Sequence, residues 1–200
     1  MNEPLGNVYD KKATRHSAER RLVDGFERAF AELLPTTARR VLDVGCGEGH
    51  ERDRIAAALP DATIVGVDIA PAEWLARWHA PPRRVAVGDA ARLPFADDGF
   101  DLVVALEVLE HVRDPRCALT EIARVAAGPA ILSVPWEPMW RAGNMVRGRY
   151  LAQLGNTPGH LQHFTRRGFR RVVGEHFDVE AVRRPVPWTL VRATPQRSRA

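Results

Sequence analysis

Residues 41–50 constrain the fold more than any other stretch of this chain. They read Val-Leu-Asp-Val-Gly-Cys-Gly-Glu-Gly-His, an apolar run that ends in an acid and is followed by three alternating glycines. Glycine adopts positive φ and lets a ligand approach the backbone, and a helix N-terminus offers free N–H donors. The stretch therefore predicts a buried strand that turns sharply into a helix at a nucleotide-type binding site. Its G-x-G-x-G spacing fits neither the dinucleotide fingerprint nor the phosphate loop.

Further strands are predicted downstream, and two of them carry an acid at or near their ends. Residues 62–68 end in Asp68, and residues 84–90 carry Asp89 next to their last position. In nucleotide-binding α/β folds, an acid at the end of the second strand accepts hydrogen bonds from ribose hydroxyls, so Asp68 is the predicted ribose ligand. A fourth strand is predicted at 100–106, entered through an Asp-Gly turn.

The fold class follows from the alternation of strands and helices. A fifth strand is predicted at 130–134, and the tail at 177–191 is predicted to form two strands broken around Pro185 and Pro187. Such alternation predicts an α/β fold with a mostly parallel seven-stranded sheet, helices on both faces and an antiparallel final strand. The predicted helices cover residues 17–34, 48–58, 71–79 and 115–126.

Length and composition favour a single domain over residues 1–200, with a helical cap at 1–38 and a substrate lid inserted at 136–160. No stretch approaches the roughly 18 uninterrupted apolar residues of a membrane-spanning helix, and the N-terminus lacks an apolar core. Two cysteines do not form a disulfide framework, so a reduced cytoplasmic setting is expected. The formal net charge is +4, and all basic residues except Lys11 and Lys12 are arginines. This charge is weak evidence about partners.

The D-x-G-x-G-x-G run at 43–49 resembles motif I of the class I S-adenosylmethionine (SAM) dependent methyltransferases, and the resemblance covers roughly residues 40–135. It implies a Rossmann-like fold with Asp43 near the methionine end of SAM. It also implies that Ile69 packs beside the adenine and that Asp89 accepts the adenine amino group. The full set of cofactor-binding residues expected from the strand ends and this resemblance is Asp43, Gly45, Cys46, Gly47, Asp68, Ile69, Asp89, Ala90 and Leu106.

Two acids and a histidine follow the fourth strand. Glu107, Glu110 and His111 have spacings of three and four residues, which would place them on one side of a single helical turn. The run E-x-x-E-H-V-x-D-P resembles the ubiquinone-pathway O-methyltransferases, and E-x-x-E-H also occurs in the small-RNA 3′-terminal 2′-O-methyltransferases. In both families it supplies ligands to a divalent metal. The RNA enzymes add a later histidine, to which His160 corresponds when Phe164-Thr165-Arg166 is aligned with their W-T-R segment.

The resemblance thus implies a metal site for Mg or Mn formed by Glu107, Glu110, His111 and His160, which has suitable ligands for such ions. A metal-free site is the alternative, in which His111 or His160 acts as general base because imidazole takes up a proton near neutral pH. The candidate catalytic residues are therefore His111, His160 and Glu107. His163 is interpreted equally well as a surface residue.

Apolar and aromatic side chains mixed with arginines fill residues 136–159. This composition is typical of a lid over an active site, of an amphipathic surface that meets lipid, or of an ordinary core-facing helix. The ubiquinone-pathway enzymes carry an apolar insertion here and act on prenylated substrates, which implies a hydrophobic acceptor. Residues 8–11 are expected to fold over the cofactor.

The leading hypothesis is SAM-dependent methylation of a small-molecule acceptor, at a hydroxyl of an apolar, lipid-linked or secondary metabolite. Two alternatives stay open. One is an RNA 3′-terminal 2′-O-methyltransferase, although residues 1–200 are not expected to include an appended RNA-binding module. The other is a catalytically inactive SAM-binding partner protein. The expected partners are a hydrophobic acceptor and the surface of a membrane, contacted through residues 136–154, and nucleic acid is not expected.

Overall fold

A single mixed sheet organises the protein. The computed structural model describes residues 17–47, 49–69, 84–148 and 150–197, and this part of the chain forms seven strands in the order β3-β2-β1-β4-β5-β7-β6. The strands are β1 Arg40–Val44, β2 Thr63–Asp68, β3 Arg84–Val87, β4 Leu102–Leu106, β5 Ala130–Pro135, β6 Phe177–Arg183 and β7 Trp188–Pro195. The helices are α1 Ser17–Ala31, α2 His50–Ala58, α3 Pro115–Val125, α4 Glu137–Val146 and α5 Arg166–Val173, with a 3-10 turn at Leu151–Gln153.

Strands β1 to β5 run parallel, and β7 pairs antiparallel with both β5 and β6. This confirms the predicted fold class, including the antiparallel final strand. The central strands β4 and β5 are almost completely buried. Near-continuous burial is expected for parallel strands, because crossover helices cover both faces of the sheet.

Two apolar clusters lie around the sheet. One contains the α1 residues Phe26 and Phe30, with Leu33 just after the helix, and Ile131 and Trp188. The ring of Phe26 meets that of Trp188 edge to face at 5.1 Å between centroids. The other contains α3 and α5 side chains, including Leu119, Ile122 and Phe169. The clusters fix the sheet between its helices, so the carboxyl ends of the parallel strands form a stable edge for a site.

Most predicted boundaries lie within two residues of the observed ones; the larger differences are the ends of α1, predicted at residue 34 and observed at Ala31, of β3 and of β7. Strand β4 begins at Leu102 because the carboxylate of Asp101 accepts hydrogen bonds from the Arg39 and Arg40 amides, at 3.0 and 2.9 Å. Strand β3 ends at Val87, since Asp89 already belongs to a turn with Arg92. Strand β7 extends to Pro195, beyond the predicted end, because it pairs along β5 and β6.

Parts of the sequence-based interpretation lie outside the described residues. These are the helix predicted at 71–79 and the segment 8–11 expected to cover the cofactor. Within the described ranges, no helix is both long and apolar enough to cross a bilayer.

Candidate active site

The glycine turn after β1 folds back over the end of β2. The Gly45 amide donates to the Val67 carbonyl at 2.7 Å, and the Gly47 amide donates to Oδ2 of Asp68 at 2.8 Å. All three glycines of the run have positive φ, with Gly49 at +85° directly before α2. Asp68 therefore fixes the turn with one carboxylate oxygen.

Gly45 also lies against the turn that follows β4. A Cβ placed on Gly45 would come within 2.4 Å of Cγ2 of Val108. Glycine is required here both by this contact and by its φ of +68°. The predicted cofactor turn and the predicted catalytic turn are thus in direct contact.

Cys46 contributes to this region through its backbone and through packing. Its thiol is buried, and a Cβ on Gly66 of β2 would lie 2.7 Å from its sulfur. Burial is the main cause that raises the pKa of the Cys46 thiol far above its usual value. A buried protonated thiol is a packing group, so any contact of Cys46 with a ligand falls to its backbone.

Asp43 is the buried acid at the end of β1. Its exposed fraction is 2%, and its Oδ2 atom has no hydrogen-bond partner among the described residues. Burial, followed by the negative charges of Glu51 and Asp68, raises the pKa of Asp43 well above the ordinary carboxyl range. An orphaned buried carboxyl oxygen fits a site for a cationic or hydrogen-bond-donating ligand group.

The raised pKa of Asp43 predicts a specific pH dependence of stability. The folded protein keeps a proton on Asp43 that the unfolded chain releases, so the free energy of unfolding falls as pH rises above the unfolded carboxyl pKa. Asp43→Asn should remove this part of the decline. Thermal unfolding of the ligand-free variant between pH 5 and 8 should show a smaller fall in Tm than the unchanged protein. An equal or steeper fall would contradict the assignment.

The other predicted cofactor residues lie where their strands end. Ile69, directly after β2, is 52% exposed, and Asp89 is exposed and accepts a hydrogen bond from the Ala91 amide at 2.8 Å. Ala90 is buried, and Leu106 is half-buried at the end of β4. Adjacent parallel strands bring these positions to one edge of the sheet. Their roles in binding stay predictions.

The turn after β4 is not helical, which differs from the helical turn that the spacing suggests. Glu107 has a left-handed φ of +57°, and its amide donates to the Ser133 carbonyl at 3.1 Å. One hydrogen bond, from the His111 amide to the Val108 carbonyl at 2.9 Å, closes a single turn. Helix α3 begins only at Pro115, capped by Asp114. Positive φ at a non-glycine residue is uncommon and often marks a functional site.

Three of the four predicted metal ligands come together. Glu110, His111 and His160 each offer a ligand atom, and these atoms all lie within 4.8 Å of one another. The backbone explains the meeting, because the Glu110 carbonyl accepts hydrogen bonds from the Leu161 and Gln162 amides at 2.7 and 3.0 Å. We call Glu110, His111 and His160 the Glu-His-His cluster.

Glu107 is outside the Glu-His-His cluster, and the role as a fourth metal ligand that the family resemblance implies for it stays a prediction. Its left-handed backbone breaks the helical geometry that would have aligned it with Glu110 and His111. Its charge still acts on His111, where it raises the pKa of the imidazole against larger opposing effects.

Both histidines have one ring nitrogen engaged. Nδ1 of His111 lies 2.9 Å from the Gly159 carbonyl, which can only accept, so Nδ1 carries the proton. Although part of the His111 side chain is exposed, desolvation of its ring is the largest cause that lowers its pKa, and the nearby His160 lowers it further. A neutral imidazole with a free Nε2 suits a metal ligand or a base.

Sequence reasoning missed Glu137. Its Oε1 lies 2.6 Å from Nδ1 of His160, and both side chains are buried. An acid at a strand end was the signal that could have found it. Glu137 follows β5, just as Asp68 ends β2 and Asp89 follows β3. Glu137 was passed over because it fell inside the segment interpreted as a lid.

The predicted lid is anchored on one side and exposed on the other. The Trp140 indole donates to the Thr157 hydroxyl at 2.8 Å, and the Asn144 amide donates to the Gly155 carbonyl at 2.9 Å. His163, near the end of this region, is exposed and lies 2.9 Å from the Asn156 side chain, as expected for a surface residue. One face of the segment packs on the protein, with Trp140 against the cluster around α1, so the interpretation as a lid stays a prediction. Its exposed large apolar side chains are Met139, Met145, Val146, Leu151 and Leu154.

Comparison with known proteins identifies the domain. Residues 42–132 match the family described as a methyltransferase domain. A demethylmenaquinone methyltransferase from Roseiflexus sp. is 38% identical over 122 residues, which are 57% of this chain and 51% of that protein. A ubiquinone biosynthesis O-methyltransferase from Cereibacter sphaeroides is 36% identical over 100 residues, 48% of this chain and 40% of that protein.

The overall architecture is also shared. The PH0226 protein from Pyrococcus horikoshii superposes with a TM-score of 0.70 at 18% identity, over 91% of this chain and 93% of that one. At this identity the likeness concerns the fold. The chain spans about half the length, or less, of the two curated relatives described above. Residues 42–132, with their glycine turn and strand-end acids, are thus similar to a methyltransferase domain, and the seven-stranded sheet agrees with that similarity.

Proposed function

We propose that this protein transfers a methyl group from SAM to a hydroxyl of an apolar small molecule. The observation that carries the proposal is the position of the Glu-His-His cluster. Glu110 and His111 lie on the turn after β4, and that turn contacts the glycine turn through Val108 and Gly45. A cofactor site and a group of proton-accepting or metal-binding side chains are thus adjacent.

The described residues fit SAM. Asp43 offers a buried oxygen without a partner among the described residues, which suits a donor or cation at the methionine end. A Cβ on Gly47 would meet nothing within 4 Å, so the turn leaves open space for a ligand. Exposed Ile69 supplies an apolar surface beside the ribose-binding position proposed for Asp68.

The chemistry divides between positioning and proton removal. When bound, SAM supplies a methyl group on a positively charged sulfur; the acceptor oxygen bonds to the methyl carbon, and the sulfur keeps the electron pair of the broken S–C bond. Nε2 of a histidine in the Glu-His-His cluster takes up the hydroxyl proton. A divalent ion held by the cluster would instead lower the pKa of that hydroxyl, and the proton would then pass to water. The glycine turn and the lid hold the acceptor and exclude water, which favours an in-line displacement.

The acceptor is proposed to be hydrophobic. The lid exposes apolar side chains, with Val146 at 88% and Leu154 at 66% exposed. Two relatives are named for demethylmenaquinone and ubiquinone biosynthesis, and quinones of this kind are apolar. We therefore propose that residues 136–154 contact a membrane surface. We also propose a cytoplasmic location and Mg or Mn in the Glu-His-His cluster.

Calorimetry tests the cofactor half of the proposal. SAM and its demethylated product should bind the purified protein, and Asp68→Ala should weaken that binding at least about tenfold, because it removes both the ribose acceptor and the hydrogen bond that fixes Gly47. Glu175→Ala, which removes an exposed partner of Arg116, serves as the control and should bind normally. Absence of binding to the unchanged protein would refute the proposal.

An acceptor screen with methyl-labelled SAM tests the other half. Lipid extracts, phenolic metabolites and short RNA should be compared, each with and without a chelator. Label in an apolar product, lost on chelation and restored by Mg²⁺ or Mn²⁺, is the expected result. Label in RNA alone would instead support the 3′-terminal RNA methyltransferase. No label in any acceptor despite tight SAM binding would favour an inactive SAM-binding protein.

A further inference from the structure

The buried carboxylate of Glu137 is paired with His160 of the Glu-His-His cluster. Oε1 of Glu137 lies 2.6 Å from Nδ1 of His160, and the two side chains are 4% and 6% exposed. Oε2 of Glu137 has no hydrogen-bond partner in the described part of the chain. Among the described residues, the Glu137 carboxylate is thus held by its hydrogen bond with His160.

The surroundings of His160 restrict its ring from two other directions. The Trp140 ring stacks on it with 6.4 Å between centroids and 25° between planes, and the His111 ring meets it edge to face at 4.9 Å. The His160 amide donates to the Thr157 carbonyl at 3.1 Å, and the Thr157 hydroxyl accepts from Trp140. Packing therefore fixes where the imidazole lies. It does not fix which ring nitrogen carries the proton.

We propose that Glu137 is a positioning residue that holds His160 in the tautomer with the proton on Nδ1. Nε2 then keeps its lone pair for a metal ion or for the proton of the acceptor. The functional part of the proposal rests on the proposed methyl transfer, whereas the tautomer itself does not. Histidine ligands are commonly oriented in this way by a carboxylate that accepts from the second ring nitrogen.

Stability alone does not account for an acid at this position. A buried carboxylate costs desolvation that one hydrogen bond barely offsets, and apolar residues of similar volume are often as stabilising as buried charged groups. A carboxylate can only accept when ionised, so it selects one tautomer of its partner. Glutamine in its place offers an oxygen to one tautomer and an NH₂ group to the other, so the selection is released.

Nitrogen NMR of histidine-labelled, metal-free protein tests the tautomer directly, with His160 assigned by its loss in His160→Asn. The unchanged protein should show a single His160 form with the proton on Nδ1, and Glu137→Gln should show both forms. Calorimetry with Mn²⁺ should show affinity weaker by roughly 10- to 100-fold in Glu137→Gln. SAM affinity should stay within about twofold. Glu137 follows β5, which β4 separates from β1 and its glycine turn, and the Glu137 side chain bonds to His160.

Glu175→Gln is the matched control, because it neutralises an exposed acid that pairs with Arg116, and it should change neither readout. The proposal is overturned if His160 of the unchanged protein carries its proton on Nε2, or if Glu137→Gln keeps both the tautomer and the Mn²⁺ affinity. Should the variant fail to fold, the spectrum of the unchanged protein decides alone. Failure to bind SAM would refute the proposed function and leave the tautomer result standing.

Discussion

Gly45→Ala is expected to lower the free energy of unfolding by about 3 kcal/mol and to abolish SAM binding. A Cβ would come within 2.4 Å of Val108 Cγ2, and the φ of +68° is unfavourable for alanine. Left-handed backbone costs about 1–2 kcal/mol and overpacking about 1–3 kcal/mol. For a chain of this length the Tm should fall by roughly 6–12 °C. Thermal unfolding and calorimetry with SAM measure the two effects.

Two glycines provide matched controls. Gly148 has the same φ of +68° but open space where a Cβ would lie, so Gly148→Ala should cost only about 1 kcal/mol and leave SAM binding unchanged. Gly47→Ala also enters open space, at φ +47°, so it should cost about 1 kcal/mol, as Gly148→Ala does, and yet weaken SAM binding. Equal destabilisation by Gly45→Ala and Gly148→Ala would show that the contact with Val108 has no energetic weight.

Glu110→Gln is expected to weaken divalent metal binding and methyl transfer by about 100-fold, which corresponds to about 3 kcal/mol. Glu110 is buried and is the one carboxylate of the Glu-His-His cluster. Glutamine has nearly the same volume, and the backbone carbonyl that holds Leu161 and Gln162 is unchanged, so the fold should persist. Calorimetry with Mn²⁺ and a methyl-transfer assay on the acceptor found by screening are the measurements.

Glu107→Gln is the informative comparison, since it neutralises an acid on the same turn that lies outside the cluster. It should change Mn²⁺ affinity by less than about threefold, although it removes a charge that acts on His111. A larger loss in Glu107→Gln than in Glu110→Gln would support the four-residue ligand set that the family resemblance implies. If neither variant alters Mn²⁺ binding or activity, the metal proposal fails.

The sheet was predictable because each strand carries its own signal. Apolar runs predict parallel strands that are buried on both faces. Asp43 and Asp68 mark where two of these strands end, and an Asp-Gly turn marks where β4 is entered, so the common edge of the sheet was predictable as well. The hairpin in the tail was predictable from its prolines. Boundaries failed where a side chain bonded to distant backbone, as Asp101 does with the start of β1.

The site was less predictable for the same physical reason. Periodicity placed Glu107 beside Glu110, but a hydrogen bond from its amide to Ser133 on the neighbouring strand accompanies a left-handed backbone there. Glu137 carried the same strand-end signal as Asp68. Only its contact with His160, 23 residues away, makes it part of the site.

The sequence by itself determined the fold class, the glycine turn and the acids at the strand ends, because strand periodicity and glycine backbone freedom are local properties. Tertiary structure alone decided which of the candidate side chains meet. Glu110, His111 and His160 converge because backbone hydrogen bonds join two segments about 50 residues apart, while Val108 against Gly45 brings that cluster to the cofactor turn. Such contacts depend on packing between distant segments, which no local pattern encodes.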